Sequence, residues 1–134
     1  MADYCSIWEL VIHTTKTKIC IFSKSTHSNN LNFTFQDKTL EVVDSYTYLG
    51  AIFATNGKFS LNKDHILQQA KEALFGLNQK LRILKLPIAT CIELFNTYIL
   101  PILTYACEVW GFINTREFDT FQLSFLKSLT LLRK

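Results

Sequence analysis

The hydrophobic period of the chain changes near Ser60, and that change decides what the chain can fold into. From there Ile66, Ala70, Ala73, Leu74, Leu77, Leu81 and Leu84 recur every three or four residues, a spacing that lines one side of an α-helix. The stripe predicts one helix of about 25 residues, several turns longer than an average globular helix. Leu86-Pro87 ends it, because proline disfavours helical backbone in the residue before it. Ile88 to Trp110 is apolar nearly all round and predicts a central helix packed on several sides. Pro101 should kink or divide that helix, since it has no N–H for the interior hydrogen bond, and Gly111 breaks it. Phe118, Phe121, Phe125, Leu129 and Leu132 restore the helical period over Arg116–Leu132, with Glu117 and Asp119 near the start, where the helix dipole favours acids.

Before Ser60 the apolar runs are short and β-branched or aromatic. Lys18–Ser23 reads as a strand followed by a polar loop at 25–30. Phe33–Phe35 and Thr39–Val43 flank the break Gln36-Asp37-Lys38 as a hairpin would. Tyr46–Phe53 reads as a further strand, stopped by Asn56-Gly57. Tyr4, Ile7, Trp8 and Val11 sit at helical spacing and predict the last turns of an amphipathic helix whose beginning is expected ahead of Met1. The fold class expected is therefore α+β: a small antiparallel sheet over residues 1–57, then an α-helical bundle over 58–134.

Composition narrows the function classes. Of 134 residues, 49% are hydrophobic and 19% charged, too apolar for a disordered tail. Net charge is only +3, but residues 58–85 hold six lysines and arginines against two acids, and the last eight residues hold three cations and no acid. The field is thus concentrated in the long helix and the C-terminal tip, Lys127, Arg133 and Lys134. Cys5, Cys20, Cys91 and Cys107 form no CxxC or CxxH pair, which argues against a zinc or disulfide scaffold; Cys20, Cys91 and Cys107 are expected as small buried apolar residues. No HExxH or Gly-rich phosphate loop occurs, and no metal-ligand set is identified. The longest uncharged apolar run, between Glu93 and Glu108, has 14 residues, short of the roughly 20 that span a bilayer. The expectation is no membrane association, and a reducing compartment, nucleus or cytoplasm.

At 100° per residue, Gln68, Lys71, Phe75, Gln79 and Arg82 fall within a sector of about 80°, roughly opposite the leucine stripe. Lys and Arg engage phosphates, Gln bonds sugar or base edges, and Phe75 offers a flat apolar surface. The strip therefore reads either as a nucleic-acid duplex face or as a solvated helix face that leaves Phe75 unexplained.

The order of several short motifs adds a resemblance. Trp8–Ile12, Lys16-Thr17-Lys18, Phe22-Ser23-Lys24, Leu40–Val43 and Tyr46–Gly50 are similar to the end of the palm of reverse transcriptases from non-LTR (LINE-type, jockey-like) retrotransposons. Ala70–Leu74, Leu86-Pro87, Leu94-Phe95, Leu100–Tyr105 and Glu108–Gly111 resemble that family's thumb and following helices. The resemblance implies that Lys16 and Lys18 match the motif D lysines beside the incoming nucleotide and its pyrophosphate. Tyr46, Tyr48, Leu49 and Gly50 match the primer grip, and the partners implied are an RNA template and a DNA primer. It further implies that the Tyr-x-Asp-Asp box, whose aspartates hold magnesium in the intact enzyme, lies upstream of Met1. This chain alone is then expected to be no enzyme and to have no catalytic residue, metal site or cofactor of its own. Asp3 has no acidic neighbour before Glu9 and reads as a helix residue, and His13 stands where the family commonly has Asn. Other readings stay open: solvated lysines at 16 and 18, and Tyr46 and Tyr48 packing one sheet face. The competing function is a helical protein-interaction module or an inert retroelement relic. Either way, apolar surface left by a missing palm is expected to promote self-association.

Overall fold

The chain folds as α+β, with short strands before Ser60 and helices from there on. The computed structural model describes residues 2–9, 11–13, 16–23, 31–35, 37–111 and 114–131. The chain divides into two compact units, Met1–Leu61 and Asn62–Lys134.

The first unit contains α1 (Ala2–Ile7), β1 (Lys18–Ile19), β2 (Phe33–Phe35), β3 (Lys38–Val42), β4 (Ser45–Tyr48) and β5 (Ala51–Ala54). β2 and β3 pair antiparallel with Phe33 opposite Leu40, while β1 joins the other edge of β3 in parallel, Lys18 opposite Glu41. β4 and β5 make a separate two-stranded antiparallel sheet.

Several local expectations change here. The single strand expected over 46–53 folds back on itself at Leu49 (φ 48°) and Gly50 (φ 80°). Two successive positive φ values are what a two-residue type I′ hairpin turn requires, because its twist matches that of the flanking strands. Lys38 belongs to β3, and the turn before it includes Asp37 at φ 59°. The strand expected over 18–23 is confined to Lys18–Ile19, and the loop expected at 25–30 lies outside the described residues. Asp3 falls within α1, but Tyr4, Ile7, Trp8 and Val11 are all exposed, and Cys5 is buried. Six residues make fewer than two turns, and Glu9 at φ 52° stops the helical path before a longer stripe can form.

The second unit is built on α2 (Ser60–Leu84), which begins in the first, followed by α3 (Ile88–Tyr98), α4 (Leu100–Leu103), α5 (Cys107–Trp110) and α6 (Arg116–Leu131). Along α2 the stripe residues Ile66, Ala70, Leu74 and Leu81 are buried. The central helix expected over 88–110 is three helices. Pro101 cannot donate to the Thr97 carbonyl, and α3 gives way to α4 with Pro101 in the latter's first turn. Ala106, at φ 53°, makes the second break. Burial in this stretch is also one-sided: Cys91, Phe95, Ile99 and Leu103 recur every fourth residue and are buried, while Tyr98 and Tyr105 are exposed.

The core of this unit is aromatic. Phe95 stacks on Phe125 with centroids 4.6 Å apart and lies 6.3 Å from Phe121. Trp110 meets the edge of Phe118 at 5.6 Å and satisfies its buried indole N–H on the Tyr105 carbonyl at 2.8 Å. Gly111 closes the turn after α5; a Cβ there would run into the Cys107 carbonyl oxygen. Lys63 of α2 and Glu117 of α6 form an ion pair at 2.7 Å. The expected core position Leu132 lies outside the described residues.

Candidate nucleic-acid interface

On α2 the leucine stripe turns one side of the helix inward, so the opposite residues face solvent. Gln68, Lys71, Phe75, Gln79 and Arg82 are all exposed, Phe75 at 67% of its surface. Lys71 and Arg82, eleven residues apart, stand about 16 Å from one another along the axis. The strip is less uniformly basic than its five named members imply. Asp64 falls inside the same sector one turn before Gln68, and Glu72 lies at its edge, where its Oε1 accepts a 2.8 Å hydrogen bond from Gln68 Nε2. The cationic part therefore runs from Lys71 through Phe75 and Gln79 to Arg82. Both acids were legible in the sequence from the same 100° arithmetic that selects the strip.

In the first unit, the β4–β5 hairpin presents Tyr46 and Tyr48 on one face of β4 at the strand period of two, opposite Phe53 and Ala51. Both tyrosines are exposed, and the Leu49-Gly50 tip projects with Leu49 at 74% exposure. A tip of this kind offers two phenol hydroxyls, an apolar side chain and glycine backbone to which a strand can approach closely.

Lys16 and Lys18, the two lysines that the resemblance places beside a nucleotide, differ in their surroundings. Lys18 Nζ forms an ion pair with Glu41, its cross-strand partner on β3, so a carboxylate already competes for it. Lys16 is exposed, in a turn where its N–H and that of Thr17 both donate to the His13 carbonyl at 2.9 and 3.0 Å. That turn makes His13 a backbone anchor for the segment.

No disulfide joins the four cysteines; Cys5 and Cys91 are buried, and Cys20 and Cys107 are half-buried. Burial first, and the Asp44 carboxylate second, push the Cys20 thiol up, the reverse of what activates a nucleophile. Among the described residues, no three His, Cys, Asp or Glu side chains gather closely enough to hold a metal ion. Of the C-terminal cations, Lys127 is exposed on α6, while Arg133 and Lys134 lie outside the described residues. No helix among the described residues is long and apolar enough to cross a membrane. Comparison of the chain with family models, with curated proteins and with solved structures found no match.

Proposed function

We propose that this chain grips a template–primer duplex as the palm-end and thumb part of a polymerase like the reverse transcriptases of non-LTR retrotransposons. The observation that carries the reading is Phe75, two-thirds exposed on the side of α2 away from the leucine stripe, with Lys71, Gln79 and Arg82 on the same strip. A solvated helix face has use for the cations but none for a phenylalanine in water. A duplex uses all four: the cations displace counterions from phosphates, Gln79 bonds a sugar hydroxyl or base edge, and Phe75 packs on sugar or base. The Tyr46, Tyr48 and Leu49-Gly50 tip is the matching candidate for holding the primer strand. Lys16 is the better placed of the motif D lysines to meet a phosphate, since Lys18 is paired with Glu41. On this reading the chain forms no bonds itself, magnesium belongs to carboxylates that this sequence does not carry, and the protein works in the nucleus or cytoplasm. A second reading, a protein-interaction module, has its own support in the exposed Tyr4, Ile7, Trp8 and Val11.

Fluorescence anisotropy with a labelled RNA–DNA hybrid tests the proposal. Binding is expected to be indifferent to sequence and to weaken with salt, each phosphate contact adding about −0.9 to the slope of log affinity against log salt, as in B-form duplexes. Replacing Lys71 and Arg82 together by Gln should flatten that slope by about two. Phe75→Ala should weaken binding at unchanged slope, because it removes an apolar contact and no charge. No binding at low salt, or an unchanged slope in the double variant, would leave α2 with a solvated face and nothing more.

A further inference from the structure

The side of α2 away from Phe75 borders a second feature that duplex binding does not use. Between α2 and the α3–α4 segment runs an open cleft of about 570 Å³, within the roughly 300–1,000 Å³ range of small-molecule sites. Its walls are apolar, with Leu77 and Leu81 from α2 facing Leu94, Ile99 and Ile102. At the rim, Leu84 and Tyr98 are 60% and 62% exposed. Lys80 is the one charged residue in the lining, and among the described residues no carboxylate lies within ion-pair distance of it.

Gly76 lies in the same wall. It sits in the interior of α2, where glycine is the worst helix former after proline, and its φ is ordinary, so no turn requires it. A Cβ added there would meet nothing within 4 Å among the described residues, so none of them requires it either. What the glycine does is leave open space in the wall of the cleft, as a site that admits an occupant close to the backbone would.

We propose that this cleft binds a single-chain amphiphile with a carboxylate head, its alkyl chain lying over Gly76 between Leu77, Leu81 and Ile102 and its head at Lys80. The sign of the head follows from the lining: one ammonium, no acid, and the Tyr98 phenol as a neutral hydrogen-bond donor. The inference does not rest on the duplex reading, since it uses another side of the helix.

The test titrates the full chain with decanoate, decanol and decyltrimethylammonium, each below its critical micelle concentration, while amide NMR shifts are followed. Decanoate is expected to bind saturably with shifts centred on Gly76, more tightly than decanol, with the cation weakest. Lys80→Gln should weaken decanoate by about two- to fivefold, as for an exposed ion pair, and leave decanol unchanged. Gly76→Leu, whose side chain enters open space, should abolish binding of both while duplex affinity stays at the parent value. Gly76→Ala separates occupancy from folding, because it should raise Tm by about 4 °C yet still weaken decanoate. Equal binding of the three amphiphiles, unsaturable partitioning, or an unchanged preference in Lys80→Gln would overturn the proposal. So would a dimer that Gly76→Leu converts to monomer with decanoate binding neither form, since a second copy would then be the occupant.

Discussion

Leu49 adopts φ 48° at the tip of the β4–β5 hairpin, a region that L-residues other than Asn, Asp and Gly enter at a cost. Its side chain recovers little, being three-quarters exposed. Asn-Gly is the favoured pair for this turn, so Leu49→Asn should stabilise the first unit by about 0.5–1 kcal/mol, read as slower amide exchange along β4 and β5. If the hairpin grips a primer, the same substitution should lower affinity for the hybrid duplex, because strain kept at an exposed position marks a site where the side chain is used elsewhere. Gain in both properties would make Leu49 a plain turn defect. Glu72 and Asp64 carry a related lesson on α2: the charge of a face is set by every residue within its sector, and these two confine the cationic part to Lys71–Arg82.

Among the elements, α3 and α6 are joined by an aromatic cluster. Phe95 and Phe125 are almost wholly buried and stacked, so Phe125→Ala should cost about 3–5 kcal/mol through lost transfer energy and a cavity. Phe125→Leu should cost less, and a urea titration monitored by near-ultraviolet circular dichroism, to which Trp110 of α5 contributes through its packing on Phe118 of α6, measures both. The helices were also the legible part of the sequence. Ser60 and Leu84 bound α2 where the apolar period begins and ends, and Phe118, Phe121, Phe125 and Leu129 mark the buried side of α6, because a long stripe repeats its signal over many turns. Short elements repeat it too few times. Tyr46–Phe53 reads as one strand because alternation continues across a two-residue turn, and only the positive φ of Leu49 and Gly50 reveals the reversal. The parallel partnership of β1 with β3 joins segments more than twenty residues apart, a pairing that local pattern does not encode. Ile88–Trp110 misleads differently: its composition suggests burial on all sides, whereas the i, i+4 burial of Cys91, Phe95, Ile99 and Leu103 leaves Tyr98 and Tyr105 outside.

Taken as a whole, the molecule distributes its apolar side chains unevenly between the two units. Among the described residues of the first, the buried apolar ones are Cys5, Ala51 and Ala54, all small, while Tyr4, Ile7, Trp8 and Val11 stand in water, Val11 at 95% exposure. The second unit buries Phe95, Trp110, Phe121 and Phe125, each worth about 1.5–3 kcal/mol of transfer energy for a side chain of that class. Stability should therefore be concentrated in residues 62–134, with the first unit open to association through its exposed aromatic and aliphatic groups. Light scattering after size exclusion should show species larger than a monomer at tens of micromolar, about the range in which transiently exposed apolar surface drives association. Ile7→Lys with Trp8→Lys should return the chain to a monomer without loss of helical circular dichroism, since neither side chain is buried and α2 and α6 supply most of the helix. Salt separates this association from duplex binding. Contacts between apolar groups persist or strengthen as salt rises, whereas a grip made by Lys71 and Arg82 weakens. A chain that is monomeric before the double substitution, or whose oligomers dissolve in high salt, would locate the adhesive surface in charged residues and away from α1.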